Sequence, residues 1–578
     1  MPRKNIPAFL AIIIAMAAVG SWLLWLSHPL PPPSIAGAWQ LTNDGLLKTN
    51  LASDGTNLYF TEISGQHYFI SKVSSAGGAV SNLPLTFPSA QLLDVSTAHA
   101  SVLAAEYSAG PNSENSLWTY PLSGGVAQRF GDVHGQEAVW SPDGQNVLLI
   151  KGSSLYVTSS SGSPAKELVS VPGTPYYPRY SPDGSRIRFS VGDTVQNTSS
   201  IWEMRSDGSG LHPLLPEWHE VSSKCCGSWT SDGRYYIFQA TPNELGSNGN
   251  LFAVAEPAGR FEKKRFEQPV QLTKGSVSFG RPVLSPDNQK IWALGLHLHG
   301  AVVKYDPASG QYTPFLSGRS ATDLDFSADG QWVTYISVPE GMLWRCRIDG
   351  TDMRQLTFAP ARAALPRWSP DGKQIAYVNV EKGKPWAIFI VPAAGGSSQP
   401  LLRENTTQID INWSTNGDKI IFGRVTEFKP EGLSILVCDL KTQKLSSIPG
   451  SEGLFSPRLS PDGHYIAALS ASLTKLMLFD TQTQKWSEWQ NVASGALNYP
   501  AWSADSKSIY FDDLVSGEGA YCRAKVGESH YEHVFALKNI ERYLGPFGLW
   551  CGRTPDGSAL FVQDTSVREV YELQANLP

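Results

Sequence analysis

One short phrase, Ser-Pro-Asp-Gly, recurs with small variations along nearly the whole chain and constrains what this chain can fold into. Clear copies end at Gly144, Gly184, Gly372 and Gly463. A decayed copy is expected near Ser96, where the spacing demands one. In the four clear copies and the seven looser ones, the turn residue is Asp54, Asp143, Asp183, Asp232, Asp287, Asp329, Asp371, Asn416, Asp462, Asp505 or Asp556. The chain is therefore an array of about twelve units of about 45 residues, a period typical of propeller blades.

Each unit contains short apolar runs on both sides of the phrase. Residues 147–150 follow one copy directly, and a later run such as residues 386–391 comes after a further turn. Proline fixes a turn dihedral, aspartate accepts backbone N–H bonds and glycine supplies positive φ, so the phrase predicts a hairpin between two strands. With a third run and a closing Gln-Leu-Thr run, each unit has four antiparallel strands, which is a propeller blade. The predicted fold class is all-β, with tandem β-propellers.

The repeat also resembles a known family. The pattern of an aromatic residue, Ser-Pro-Asp-Gly and then Ile-Ala-Tyr is seen at residues 368–377, and Gln-Leu-Thr closes units at residues 271–273 and 355–357. This pattern is similar to the WD-like repeat of the TolB type, a family of bacterial periplasmic β-propellers, and the resemblance covers nearly all of residues 36–578. It implies six-bladed rings. It implies little about chemistry, because the repeated residues build the blade and propellers host both binding proteins and enzymes.

Twelve units divide into two six-bladed rings, and the ends of the array favour this division. Residues 38–42 read as a fourth strand with no blade before them, and residues 570–573 read as a third strand with no fourth strand after them. A strand from the far end of the same segment would close each ring without an exposed sheet edge. We therefore expect residues 38–42 to complete the blade of Asp287 and residues 311–316 to complete the blade of Asp556. The predicted domains are a first propeller at residues 37–308 and a second at 309–578; unequal rings of seven and five or eight and four blades are the alternative.

The N-terminal residues predict export. Arg3 and Lys4 precede an apolar run at residues 8–26 that is long enough to span a bilayer, with the charged end inside. We expect a cytoplasmic tail at residues 1–7, a transmembrane signal anchor at 8–26 and a proline-rich linker at 27–36. The resemblance then implies a single-pass protein of the inner membrane with its propellers in the periplasm. The alternative is a signal peptide cleaved near Ala36-Gly37-Ala38, which would release a secreted protein.

Charge and metal-ligand residues give few indications of chemistry. A net charge of −6 lacks the basic surplus of nucleic-acid binders, so no nucleic-acid partner is expected. His297 with His299, and His530 with His533, could each present two imidazoles to a metal, but ordinary strand or surface histidines explain both pairs more simply. A disulfide between Cys522 and Cys551 is an option in an exported chain. No catalytic, cofactor-binding or metal-binding residue is assigned, and no cofactor is expected.

Two function classes remain. The chain has no Gly-x-Ser-x-Gly elbow of the kind that α/β-hydrolase peptidases require. Many structural repeats without a chemical motif favour a membrane-tethered binding or scaffolding module that engages another envelope protein, a peptide or a glycan. The alternative is a propeller enzyme of the hydrolase or lactonase type, with residues from different blades at a channel mouth. Three or more converging His, Asp or Glu side chains around a channel would favour that alternative.

Overall fold

The computed structural model describes the propeller region and little of the N-terminus. The described residues are 16, 30–64, 67–85, 87, 89–106, 114–193, 198–242, 249–257, 268–381, 384–404, 406–426, 432–491, 497–513, 519–545 and 547–578. Apart from Met16, the expected tail at 1–7 and anchor at 8–26 lie outside them. Within these described residues, no helix is long and apolar enough to cross a membrane. The expected linker ends earlier than residue 36, because a strand already begins at Ser34.

The Ser-Pro-Asp-Gly phrase forms the turn between the first two strands of a blade. At Asp371, the carboxylate accepts hydrogen bonds from the Ser369 hydroxyl (2.7 Å) and the Lys373 N–H (3.1 Å). The Ser369 hydroxyl oxygen in turn accepts the N–H of Gln374 at 2.9 Å, and Gly372 has a φ of 69°. The left-handed φ explains the glycine, and the carboxylate replaces hydrogen bonds that the tight turn would otherwise leave unmade.

The chain divides into two units, and among the described residues the first unit has six groups of four strands. This unit holds the described residues from 30 to 297 together with Val567–Pro578. We number its blades 1 to 6; each is given from the innermost strand outwards. Blade 1 is Leu47–Ser53, Asn57–Ser64, His67–Ser74 and Ser81–Asn82; blade 2 is Ala90–Ser96, Ser101–Glu106, Asn115–Pro121 and Gln128–Gly135; blade 3 is Glu137–Trp140, Asn146–Lys151, Ser154–Ser159 and Lys166–Ser170; blade 4 is Thr174–Tyr180, Arg186–Asp193, Thr198–Arg205 and His212–Pro213; blade 5 is Val221–Trp229, Tyr235–Pro242, Asn250–Ala255 and Val270–Gln271; blade 6 is Val277–Leu284, Lys290–His297, Val567–Asn576 and Ser34–Gln40. A bridge between Ser199 and Ser223 joins blades 4 and 5 into one eight-stranded sheet.

The second unit, Leu298–Ser566, also has six blades within its described residues. Blade 7 is Ala321–Phe326, Trp332–Ser337, Leu343–Arg347 and Arg354–Gln355; blade 8 is Arg362–Trp368, Gln374–Val380, Ala387–Pro392 and Gln399–Pro400; blade 9 is Thr407–Trp413, Lys419–Val425, Leu433–Asp439 and Leu445–Ser447; blade 10 is Leu454–Leu459, Tyr465–Ser470, Lys475–Asp480 and Lys485–Asn491; blade 11 is Leu497–Trp502, Ser508–Asp513, Ala520–Lys525 and Tyr531–Ala536; blade 12 is Cys551–Arg553, Ala559–Asp564, Gly300–Asp306 and Gln311–Pro314. A short ribbon, Leu544–Gly545 with Gly548–Leu549, and a 3-10 turn at Leu316–Gly318 complete the unit.

Contacts between innermost strands close each unit into a ring. In the first unit the innermost strands of blades 1 to 6 contact one another in sequence, and that of blade 6 contacts that of blade 1. The same cycle holds for blades 7 to 12. Buried apolar side chains fill the space between neighbouring blades, as where Ala376 and Val378 pack with Trp413 and Phe422. The described blades therefore agree with the division into six plus six.

The two closing blades differ from the sequence expectation in their third strands. Ser34–Gln40 and Gln311–Pro314 are the fourth strands of the blades of Asp287 and Asp556, as expected. However, the third strand of blade 6 is Val567–Asn576 and the third strand of blade 12 is Gly300–Asp306. The chain therefore changes unit between His297 and Leu298, not near residue 309, and changes back after Ser566. These two third strands, Val567–Asn576 and Gly300–Asp306, have similar alternating apolar patterns. The pattern alone therefore does not assign either strand to its blade.

A buried ion cluster ties the end of the chain to the start of the first unit. Lys48, fully buried in blade 1, forms ion pairs with Asp44, with Glu62 at 3.4 Å and with Glu569 at 2.9 Å. Glu569 lies in the C-terminal strand of blade 6 and also accepts hydrogen bonds from the Thr42 hydroxyl (2.5 Å) and the Gly45 N–H (2.9 Å). One ammonium group thus connects blade 1, the segment before it and the last strand of the chain.

We expect Lys48→Met to lower the free energy of unfolding of the first unit by about 3 to 5 kcal/mol, because buried carboxylates lose their counter-charge. Urea denaturation followed by tryptophan fluorescence measures this. Lys290→Met is the control: Lys290 pairs with Glu572 at 3.0 Å but is 39% exposed, so its loss should cost less than about 1 kcal/mol. Equal losses in the two variants would contradict the role given to the buried cluster.

Candidate functional site

A cavity of about 250 Å³ lies at the centre of the second unit and is bordered by all six of its blades. Its lining comes from the innermost strands or from the residues next to them, so it is one mouth of the central channel. We call it the arginine mouth and define it by Asp325, Arg367, Asn412, Arg458, Tyr499 and Arg553. Trp502 and Trp550 add aromatic surface to the same lining. A mixed charged and aromatic lining on a rigid ring is typical of a ligand site.

A bulge in the innermost strands aims these side chains. The ladder between the first two strands of blades 7 to 11 shifts register, and each innermost strand has a residue with positive φ at the shift: Asp323, Leu365, Asp410, Ser456 and Tyr499. A bulge adds one residue to a strand and turns its side chain away from the regular alternation. The residue two positions further along then borders the arginine mouth, as Asp325, Arg367 and Arg458 do.

The arginines are held in different ways. Arg458 is buried and forms an ion pair with Asp410, with Nη2 and Oδ1 3.2 Å apart, while its Nη1 donates to the Pro457 carbonyl at 2.8 Å. Arg367 donates to the Pro366 carbonyl at 2.7 Å, and the Arg553 guanidinium lies 3.6 Å from the centre of the Tyr510 ring. Neither Arg367 nor Arg553 forms an ion pair with any carboxylate of the described residues. The mouth therefore offers two guanidinium groups to an incoming anion.

Three carboxylates of the innermost strands, of which only Asp325 lines the arginine mouth, are engaged between blades. Asp325 of blade 7 accepts the N–H of Trp368 of blade 8 at 2.7 Å, and Asp323 accepts the N–H of Leu365 at 3.5 Å. Asp410 is the partner of Arg458. In the described part of the chain, the ligand atoms of three His, Cys, Asp or Glu residues come within 4.8 Å of one another in a single place, and that place is in blade 11 rather than here. The channel carboxylates thus do not form a metal cage.

Burial changes the proton affinity of two of these carboxylates. Burial raises the pKa of Asp323 to about 6, with the charge of Asp410 acting in the same direction and the Leu365 N–H and Arg367 opposing it. Burial also raises the pKa of Asp325, which Arg367 opposes. Asp323 therefore changes its charge close to neutral pH, which is the range needed by a general acid or base.

The first unit has its own channel cavity, of about 440 Å³, with a different chemistry. Its lining includes Asn50, Glu137, Tyr176 and Arg281, together with amide and hydroxyl side chains of blades 1 to 4. Arg281 donates to the Asn50 side-chain oxygen at 2.5 Å, and its guanidinium lies 5.2 Å from the Tyr177 ring centre. One acidic and one basic side chain give this cavity no excess of either charge.

The turn residues singled out in the sequence lie in the hairpins rather than in the arginine mouth. In ten of the eleven, the side-chain oxygen accepts the hydroxyl of the Ser or Thr two positions earlier: Asp143, Asp183, Asp232, Asp287, Asp329, Asp371, Asn416, Asp462, Asp505 and Asp556. Asp54 differs, because it accepts the N–H groups of Thr56 (2.8 Å) and Asn57 (2.6 Å) and the Tyr59 hydroxyl (2.9 Å).

The structure does not bring together the two histidine pairs or the cysteine pair that the sequence suggested. His297 ends a strand and contacts the Tyr571 hydroxyl, whereas His299 lies beyond the strand and contacts the Thr565 hydroxyl at 2.6 Å, so they do not share one strand face. His533 does not pair with His530: it lies in the outer strand of blade 11, near Asp513 and Cys522. Cys522 and Cys551 are both free thiols.

Sequence reasoning missed Arg367 and Arg458, although a signal for them was present. Both follow a proline and stand two residues before the serine of a Ser-Pro-Asp-Gly phrase, and Arg179 of the first unit does the same. This position varies between blades while the turn stays the same. Its variation, rather than the repeated turn, marks the channel lining.

Comparison with known proteins relates the chain to β-propeller proteins. No model of a known protein family matches it. It is 28% identical over 208 residues to a TolB homologue of Chlorobium chlorochromatii. These residues make up 35% of this chain and 42% of that protein. It is 24% identical over 363 residues to dipeptidyl-peptidase 5 of Porphyromonas gingivalis, 57% of this chain and 43% of that protein. The chain thus spans less than half the length of these two relatives. A solved structure described as TolB from Agrobacterium tumefaciens matches 46% of this chain and 98% of its own, with 17% identity and a TM-score of 0.37.

We expect Asp323→Asn to make the protein more stable at pH 7.5 and to leave it unchanged near pH 4. The folded state holds a proton on Asp323 up to a pKa of about 6, whereas the unfolded chain releases it near 3.8. Stability of the wild type therefore falls as pH rises through this window, by up to about 3 kcal/mol. Asparagine carries no charge and still accepts the Leu365 N–H.

Urea midpoints at pH 4, 5, 6 and 7.5 measure the difference between variant and wild type. Asp371→Asn is the matched control, because Asn416 already occupies the same turn position in blade 9 and accepts the Ser414 hydroxyl at 2.8 Å. A difference between Asp323→Asn and wild type that does not change with pH would contradict the raised pKa.

Proposed function

We propose that this chain, which its repeat and its relatives connect to the TolB-like β-propeller family, is an extracytoplasmic binding module. In this proposal the arginine mouth of the second unit binds a carboxylate group of a peptide or of an extended segment of another envelope protein. The observation that carries the proposal is the pair of guanidinium groups, Arg367 and Arg553, which face one cavity and form no ion pair with a carboxylate of the described residues.

The geometry supports an anionic ligand. A guanidinium group binds a carboxylate through two parallel hydrogen bonds, and such bonds are stronger where the site is partly shielded from water. Arg458 is already neutralised by Asp410 and so helps to shape the mouth rather than to attract charge. The aromatic lining of Trp502 and Trp550 gives apolar surface for the residue that carries the carboxylate.

The size of the mouth supports an extended ligand. About 250 Å³ holds one or two side chains or a chain terminus, whereas a folded domain would have to bind on the rim. The resemblance of the repeat to the TolB type supports a periplasmic location, and an anchor at residues 8–26 would keep the propellers at the inner membrane. The periplasmic location, the membrane anchor and an envelope protein as the partner are all parts of this proposal.

Binding of a labelled triglutamate peptide by the purified full-length protein tests the anionic ligand. We expect binding that weakens with salt and falls by at least about 100-fold in Arg367→Gln/Arg553→Gln, because each of the two arginines loses a charged hydrogen bond worth about 1.5 to 3 kcal/mol. Arg129→Gln is the control, since Arg129 is exposed in the first unit and pairs with Asp132.

A triglutamine peptide serves as the uncharged probe in the same titration. If triglutamate binds no better than triglutamine, or if the double variant binds it as well as the wild type does, the arginine mouth is not the site. Cross-linking in intact membranes, followed by identification of proteins lost in the double variant, then names the partner.

One observation favours the alternative of a propeller enzyme. Asp323 has a pKa of about 6, raised by burial and by the charge of Asp410, and three of the relatives are named as peptidases. In that case Asp323, which lines a separate cavity together with Arg362 and Tyr543, would act as a general acid or base on a substrate bound in that cavity. A panel of lactones, aryl esters and aminoacyl arylamides tests this: turnover by the wild type that Asp323→Asn abolishes, with the binding of triglutamate preserved, would support the enzyme. Absence of turnover on the whole panel would leave the binding module.

A further inference from the structure

Blade 11 brings three metal-ligand side chains together at a place that the proposed function does not use. Asp513, Cys522 and His533 come from its second, third and fourth strands, and their ligand atoms all lie within 4.8 Å of one another. The first two side chains are buried and the imidazole is exposed. The group therefore has a closed inner side and one side that is open to solvent.

The strand register explains why the three residues meet. Cys522 lies directly opposite His533 in the ladder, and Asp513 lies opposite Ala520, two residues from Cys522 on the same face of the sheet. The outer ladder shifts register between Tyr521 and Cys522. A bulge re-aims a side chain, and here it falls at the position that brings the imidazole to the thiol.

A neighbouring tyrosine holds the carboxylate in place. The Tyr531 hydroxyl donates to Oδ2 of Asp513 at 2.9 Å. Hydrogen bonds of this kind to a ligand carboxylate are typical of metal sites, where they fix the orientation of the ligand before the ion arrives. Tyr531 stands two residues before His533 in the same strand, so one short strand supplies both a ligand and its support.

We propose that Asp513, Cys522 and His533 form a binding site for a single zinc ion. Thiolate, imidazole and carboxylate together are ligands that zinc accepts in tetrahedral sites, in which ligand atoms are about 3 to 4 Å apart. The three side chains need to close by only about 1 Å. The thiolate and the carboxylate neutralise the two charges of the ion, and the thiol proton passes to the solvent on binding.

Three protein ligands leave the fourth coordination position of the ion to water. That position faces solvent on the side of His533, so a ligand with a free electron pair could reach the metal there. The ion would also connect the exposed outer strand, Tyr531–Ala536, to the two buried strands beside it. The site is independent of the arginine mouth, so failure of either proposal leaves the other standing.

Zinc titration of the chelator-stripped full-length protein, in competition with a chromophoric chelator, tests the proposal. We expect one zinc ion per chain. His533→Ala should weaken binding by at least about 100-fold, and Tyr531→Phe by about 10-fold, since support residues of metal ligands contribute about 10- to 100-fold and a ligand contributes more. Cobalt in place of zinc should give a thiolate charge-transfer band that Cys522→Ser removes.

His530→Ala is the matched control, because His530 is an exposed histidine three residues away whose contact is the Ser529 hydroxyl at 2.7 Å. It should bind zinc as the wild type does. His533 is exposed, so its replacement tests the site even if Cys522→Ser disturbs the buried face of the blade. The proposal is overturned if the wild type retains no zinc against the chelator, if His533→Ala binds as tightly as the wild type, or if His530→Ala weakens binding equally.

Discussion

Closure of each ring of blades is the constraint on which the rest of the structure depends. A blade has unpaired backbone groups along its outer strand and apolar side chains on both faces, so a missing neighbour or strand would expose both. The chain meets this requirement by pairing distant segments: blade 6 combines residues near 34–40 and 567–576 with residues 277–297, and blade 12 combines residues near 300–314 with residues 551–564. The buried Lys48 then links the first and last of these segments through Glu569.

The same closure gives the channel its polar lining. Where the innermost strands converge, a side chain of one blade caps a backbone N–H of the next, as Asp325 does for Trp368 and Asp94 does for Trp140. Polar groups at the centre therefore stabilise the ring in most positions. The positions that are not used in this way include Arg367 and Arg553, the two residues to which we assign the binding of a ligand. The polar residues of the channel thus fall into two groups: those that stabilise the ring and those to which we assign ligand binding.

Much of the fold could be predicted from the sequence, because the turn is a local device. Asp371 and Gly372 form their hairpin with residues no more than five positions away, so the sequence of each copy is enough to predict its turn. The third strands of the closing blades could not be assigned, because Gly300–Asp306 and Val567–Asn576 pair with strands about 260 or more residues distant in sequence, and either would fit either edge. The positions of the channel arginines depend on a bulge and on six blades that meet at one axis. Neither feature can be predicted from the sequence of a single unit. Likewise His533 gains Asp513 and Cys522 only through the ladder of blade 11.

The pairing of blade 6 with a third strand from far along the chain also sets an order of assembly. The second unit is one continuous stretch, Leu298–Ser566, and all its strands are present once that stretch has been made. The first unit begins earlier in the chain, but blade 6 lacks its third strand until Val567–Asn576 has been made. During synthesis, the first unit must therefore wait for the whole of the second unit before its ring can close. A chain that stops before residue 567 would leave blade 6 without its third strand, and its fourth strand, Ser34–Gln40, would lose the strand with which it pairs.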